Sequence, residues 1–452
     1  EAGVVSGDRV TGGPGFWSRW RGDLDLARDR VGSNAIRLGL EWSRVFPRST
    51  AGVRVGARID RRDLHRLDRL ADRSAVRHYA QVLRGAQRRG LRVMLTLNHY
   101  TLPLWAHDPL AVRAAFAGRG ADDPLPAGLE RAGWLDAATV GEFRKYAAYA
   151  AWKLGRHVDL WATLNEPLIT VSQGYVSIPG VTGVKAPAVL SYPAAVRAVE
   201  QLGLANAAAY DAVKAVDRRA TVGFVHNMIA WRPADPVSKA DRRAAEHADQ
   251  IFNRAWLDLA VRGRYDVDVD GRLDAGEDRP HLAGKADFIG VNHYSPGSAA
   301  ALPTSVSSTV PLFDFAPTVA YRGTSSPGGP PCPATCSDFG WPIDPSGLRE
   351  VVEEAAGYGL PVYVTENGID DADDDQRPGY IRGYLGALQD AIEAGADVRG
   401  YFHWSLVDNF EWAEGFGARF GLFGYDRQTL ERSERSASVR LLRRTARRNA
   451  LP

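Results

Sequence analysis

The chain lacks a dominant charge. Lysine and arginine together number 56 and aspartate and glutamate 54, a net charge of +2 over 452 residues. No strong field draws nucleic acid or an anionic membrane, so a neutral ligand is the default. Long apolar runs are also missing. Nothing approaches the ~18 residues of a membrane span, and no signal-peptide pattern opens the chain. A soluble, cytoplasmic protein is the expectation. Cysteine is scarce: Cys332 and Cys336 are the only two, in Pro-Pro-Cys-Pro-Ala-Thr-Cys-Ser. One close pair is no disulfide framework, and no second Cys/His pair stands at zinc-site spacing. No metal or cofactor is expected. A loop disulfide is left open, with two free thiols the preferred reading.

What is present is ordinary globular material, 45% hydrophobic and 24% charged, enough for a large core. Length alone suggests about three domains at ~150 residues each, but barrels with insertions exceed ~400 residues as one domain. Short β-rich runs alternate with helix-period stretches, which argues for parallel βα units. The strand candidates are Asn34–Trp42, Arg92–His99, Leu160–Asn165, Thr221–His226, Phe288–Tyr294, Val362–Thr365 and Gly400–Ser405. Amphipathic stretches lie near 16–31, 72–90, 139–156, 192–217, 238–262, 346–358, 378–395 and 435–448. The fold class is therefore α/β, a (β/α)8 barrel over 1–452 in one domain. Its first strand should precede Phe16, yet nothing in Glu1–Gly15 reads as one. Long stretches at 105–134, 168–190 and 303–345 follow strands and are expected to wall a site.

Two carboxylate motifs stand out. Glu166 lies in Thr163-Leu-Asn-Glu-Pro167 and Glu366 in Val364-Thr-Glu-Asn-Gly368, each directly after an apolar run. Taken singly, Asn-Glu-Pro could be a helix start, and Glu-Asn-Gly a turn, since Asn-Gly tolerates positive φ. Together, at the mouth of a parallel sheet, they read as a catalytic pair. Two opposed carboxylic acids are the minimum equipment for breaking a glycosidic bond.

These motifs, with Ile36-Arg-Leu-Gly-Leu-Glu-Trp-Ser-Arg-Val-Phe-Pro47, Asn98-His-Tyr-Thr-Leu-Pro-Leu-Trp105, Gly290-Val-Asn-His-Tyr294 and His403-Trp-Ser-Leu-Val-Asp-Asn-Phe-Glu-Trp412, make the chain resemble a family 1 glycoside hydrolase. The motif style is closest to the archaeal β-glycosidases. The resemblance implies a retaining, exo-acting β-glucosidase with galactosides and fucosides as further substrates. Glu166 would be its acid/base and Glu366 its nucleophile. It further implies that Arg37, Asn165, Asn292 and Tyr294 support the pair. His99, Tyr100, Trp404, Glu411, Trp412 and Phe420 would bind the sugar, with core packing an equal reading for Phe420. A carboxylate at Glu411 disfavours 6-phosphosugars, so a neutral hexoside is expected, in a chain that could assemble as a homo-oligomer.

Two departures qualify the resemblance. Tyr100 stands where the family commonly has tryptophan. The glutamine that the family's first strand carries has no candidate here. An incomplete barrel would have an exposed edge and a weakened sugar subsite. The competing readings are a catalytically weak glycan- or small-molecule-binding barrel and a different carboxylate-pair hydrolase such as an endo-glucanase.

Overall fold

The computed structural model describes residues 7–177, 184–303 and 314–451. Seven parallel strands carry the architecture: β1 (Ala35–Gly39), β2 (Arg92–Asn98), β3 (Leu160–Asn165), β4 (Thr221–Asn227), β5 (Ile289–Asn292), β6 (Val362–Asn367) and β7 (Val398–His403). They pair in chain order as one sheet, the pattern that βα alternation produces. Each is one of the seven apolar runs read above. β1 is shorter than expected because Glu41 accepts a hydrogen bond from the Ser43 amide and starts a one-turn helix, Trp42–Val45.

Every amphipathic stretch is helical, and local chemistry explains where several begin. Asp72 accepts from the Ser74 and Ala75 amides ahead of helix Arg73–Arg88. Ser191 caps helix Tyr192–Val216, which carries proline in its first turn. Such caps satisfy amides that would otherwise have no partner. On the inner side, Met94, Leu160, Phe288 and Tyr363 form one buried cluster with Phe402 against it. Four strands thus meet on side chains near their starts, so the interior is packed rather than a channel.

Among the described residues the curled sheet does not close by hydrogen bonding. β7 and β1 come near each other, yet they are the two ends of the strand order and share no ladder. Burial marks the same seam. β3, β5 and β6 are buried throughout, whereas no residue of β1 or β7 is. Among the described residues no strand precedes β1 in the sheet; residues 1–6 of the stretch searched for one lie outside the described residues.

The long connections hold more structure than their composition suggests. Helix Pro109–Ala115 lies in 105–134, and helix Pro167–Tyr175 follows Glu166 directly. A small sheet of Trp231–Pro233, Gly297–Ala301 and Phe315–Thr318 was not anticipated. Residues 178–183 and 304–313 of the expected walls lie outside the described residues. Cys332 and Cys336 are bonded to each other, which corrects the preference for free thiols. The intervening turn brings their Cα atoms to 6.1 Å, within bridging range.

Candidate active site

Each acid is placed by its strand's end. Glu166 follows β3; its amide bonds the Val225 carbonyl of β4 at 2.8 Å, and its backbone adopts φ 46° just before Pro167. A left-handed glutamate is strained, and the strain turns the chain sharply into the next helix. Glu366 lies inside β6, and its carbonyl accepts from the His293 amide at 3.0 Å. Gly368 proves to be more than a turn residue. A Cβ there would stand 1.8 Å from the Trp404 carbonyl oxygen, so the Glu-Asn-Gly glycine lets β7's end pass against β6.

The surroundings of the two acids differ in kind. Arg37 donates through Nη1 to Glu366 Oε1 at 2.5 Å, and the Tyr294 hydroxyl donates to Oε2. The Arg37–Glu366 pair is nearly sealed from solvent, with 8% and 5% side-chain exposure. Glu166 has only neutral partners. Asn292 Nδ2 reaches its Oε1 at 2.6 Å, Asn227 Nδ2 the same oxygen at 3.4 Å, and the Tyr100 hydroxyl its Oε2.

A polar network ties these groups together. Arg37 also donates to Asn165 Oδ1 at 2.5 Å and to Thr96 Oγ1 at 3.0 Å. Asn165 Nδ2 faces His99 Nε2 at 3.2 Å. Thr365 donates to Asn292 Oδ1 at 2.7 Å, which fixes that amide's orientation. Side chains from β1, β2, β3, β5 and β6 are thereby locked to one another, the preorganisation a catalytic centre needs.

Burial pushes the Glu366 carboxyl above its ordinary value and the Glu166 charge pushes it the same way, while Arg37 and Tyr294 oppose both. Two neighbouring buried carboxyls do not both ionise cheaply, and the guanidinium contact favours the ionised form of Glu366 against its burial. His99 is held well below the usual histidine range by burial, with Arg37 and Lys185 adding to it, so it is neutral. Burial raises Glu411 to about 8, countered by Lys185 and by a Trp404 hydrogen bond.

Eleven of the twelve residues singled out in the sequence belong to this network or its aromatic wall. His99, Tyr100, Trp404 and Trp412 form a wall of rings, with Tyr100 and Trp412 edge-to-face at 4.8 Å. Phe420 is packed instead among Tyr294, Phe339 and Trp341 and is 2% exposed. Four participants were missed. Thr96 and Thr365 sit in strands already identified and Asn227 directly follows one, where inward-facing polar residues could have flagged them. Lys185 lies in an irregular connection, with no spacing signal to find it.

Among the described residues, cation-binding potential lies elsewhere. Asp266, Asp268 and Asp270 bring carboxylate oxygens within 4.8 Å of one another, and so do Asp371, Asp373 and Asp375. The first three open Asp266–Glu277, whose Asp-x-Asp-x-Asp-Gly-x5-Glu order is that of a calcium loop. Gly271 takes φ 84° at the glycine position. Neither group includes a residue of the acid pair.

A curled parallel sheet with paired acids at its mouth is the architecture of a barrel hydrolase. Comparison with known proteins makes the class specific. The profile of glycosyl hydrolase family 1 matches residues 124–450. A β-galactosidase from Pyrococcus woesei is 35% identical over 100% of this chain and 89% of that protein. The β-glycosidase from Thermosphaera aggregans superposes with TM-score 0.83 at 35% identity, covering 100% of this chain and 89% of its own. A β-glucosidase from Pyrococcus furiosus gives TM-score 0.82 at 33% identity, with 100% and 88% covered. The chain belongs to glycosyl hydrolase family 1 and is an O-glycosyl hydrolase. No helix among the described residues is long and apolar enough to cross a membrane.

Proposed function

We propose that the chain, as one barrel unit, is a retaining, exo-acting β-glycosidase for neutral β-glucosides, with galactosides and fucosides as further substrates. Glu366 is the nucleophile and Glu166 the acid/base. The observation that carries this division is the difference in donors: a guanidinium on Glu366, only neutral groups on Glu166. The ionised acid can attack, and the protonated one can assist the leaving oxygen.

In the first step the Glu366 carboxylate attacks the anomeric carbon while the Glu166 proton passes to the departing oxygen. Bond formation removes the Glu366 charge, so Glu166 no longer faces a second anion. It then deprotonates water, which displaces the sugar from Glu366. Tyr294 and Arg37 position the nucleophile throughout. Asn165, held by Arg37, turns its amide toward the sugar's 2-hydroxyl, where transition-state hydrogen bonding is most valuable. His99, Glu411 and Trp412 take further hydroxyls, and Trp404 offers a ring face. The neutral-substrate assignment follows from Glu411, since a carboxylate would repel a 6-phosphate. Assembly into homo-oligomers belongs to the same proposal.

Incubation with a 2-deoxy-2-fluoro-β-glucoside should add one sugar mass to the Glu366 peptide, and the chain should turn over an aryl β-glucoside. Absence of both would sink the assignment.

A further inference from the structure

Among the described residues, Lys185 is the one cation in the site that the acid pair does not claim. Its Nζ lies 3.8 Å from the centroid of the Tyr100 ring and 4.5 Å from that of Trp412. A cation on an aromatic face is attracted by the ring's quadrupole, so the two rings fix where the ammonium sits. The backbone is tethered as well, since the Lys185 amide bonds the Gln173 carbonyl at 3.0 Å. The ammonium nevertheless forms no ion pair or hydrogen bond with any described residue. An ammonium has three donors and no acceptor, and leaving them unused in a buried place is costly.

Three carboxylates surround it without touching it: Glu166, Glu411 and Glu366 all act on its charge through space. Burial lowers Lys185 to about 8, while those acids pull it back up. Glu411 feels the reciprocal effect, with Lys185 the largest influence opposing its burial. Lys185 and Glu411 thus act on each other's charge without forming an ion pair, the ammonium lying over the ring of Trp412, the residue after Glu411. A sugar hydroxyl is both donor and acceptor, so it can give its proton to the carboxylate and take one from the ammonium. A neutral hydroxyl satisfies both groups at once; an anionic substituent would satisfy only the lysine.

We propose that Lys185 is a specificity-determining residue that hydrogen-bonds the sugar hydroxyl, at C4 or C6, received by Glu411. The proposal rests on the glycosidase reading and deepens it. Selection of a neutral glycone comes from a cation and an anion bridged by one hydroxyl, with Tyr100 and Trp412 as the seat of the cation. Tyr100 also touches Glu166, so the same ring that seats the lysine lines the acid/base.

The test compares the full chain with Lys185→Met and Lys185→Arg on 4-nitrophenyl β-glucoside and on its 3-, 4- and 6-deoxy analogues. Loss of a charged hydrogen bond predicts a fall of about 10- to 100-fold in kcat/KM for the methionine variant on the parent glucoside. That deficit should shrink to less than about threefold on either the 4-deoxy or the 6-deoxy analogue, and persist on the 3-deoxy one. Lys185→Arg should recover part of it, and keeps the test open should the methionine variant not fold. Equal deficits on all four glycosides, or no deficit, would overturn the role. Labelling of Lys185→Met by the 2-fluoro glucoside separates this from the wider assignment: a labelled enzyme with no deoxy-dependence removes the lysine's role alone.

Discussion

Glu166 and Glu366 stand at the ends of strands buried along their whole length, whereas Arg37 comes from β1, and Trp404 and Glu411 from the chain that follows β7, the two strands at the open seam. The acids are thus set by the closed arc, where each strand is gripped on both sides by neighbours. Their modulators come from the seam, where β1 and β7 each have a single ladder partner. Arg37 resolves the mismatch. It leaves a half-exposed strand, but its guanidinium reaches Thr96, Asn165 and Glu366 on β2, β3 and β6. A seam strand can serve a catalytic centre when its side chain is anchored in the arc.

The largest effects should come from the arc. Glu366→Ala should lower kcat/KM by about 10⁴-fold or more, the scale seen when a nucleophile is removed. Glu166→Ala should be comparably damaging for alkyl glycosides and much milder for aryl glycosides whose leaving group needs no proton. Equal losses across leaving groups would break the acid assignment.

Arg37→Met probes the tie between the regions. Removing one partner of a buried ion pair costs about 3–5 kcal/mol, read as a lower unfolding midpoint. Glu366 is already raised by burial, and Arg37 is the chief influence lowering it. Without that cation the carboxyl ionises only at higher pH, so the acidic limb of the kcat/KM profile should move upward. An unmoved limb would mean that the seam residue holds Glu366 in place without controlling its charge.

Tyr100→Phe should do less. The hydroxyl on Glu166 is one of three donors, and its loss should lower kcat by about tenfold at most, the upper worth of one ordinary hydrogen bond. Steady-state kinetics on an aryl glucoside checks it.

The arc was also the legible part. Its strands announce themselves because both faces are buried and the residues read as continuous apolar runs. The strand-end motifs then marked Glu166 and Glu366, because strand-end residues are rigidly indexed to those runs, and the family resemblance added Asn165 and Tyr294. Thr96, Thr365 and Asn227 escaped as single polar residues on the strands; the rest of what escaped lies in the connections. Lys185 acts through a fold of irregular chain that no periodicity encodes. The sheet of Trp231–Pro233, Gly297–Ala301 and Phe315–Thr318 is built from strands too short to show alternation. Phe420 had two readings because an aromatic residue near a motif looks alike whether it packs or binds; its place beside Tyr294 and Trp341 favours packing.

The smallest expected effect makes the comparison quantitative. Leu97 of β2 is fully buried, while Leu38 of β1 is only partly so. Truncation in a closed core loses transfer free energy and leaves a cavity, so Leu97→Ala should cost about 3 kcal/mol. Leu38 already meets solvent, and its strand can relax toward the seam; Leu38→Ala should cost about 1 kcal/mol. Chemical denaturation of both variants gives the difference directly, and amide exchange should show β1 and β7 opening before β4 and β6. Equal costs would mean that the seam is as tightly packed as the arc. Arg37's reach across three strands would then be a consequence of a rigid scaffold, not the means by which the seam is held to the catalytic pair.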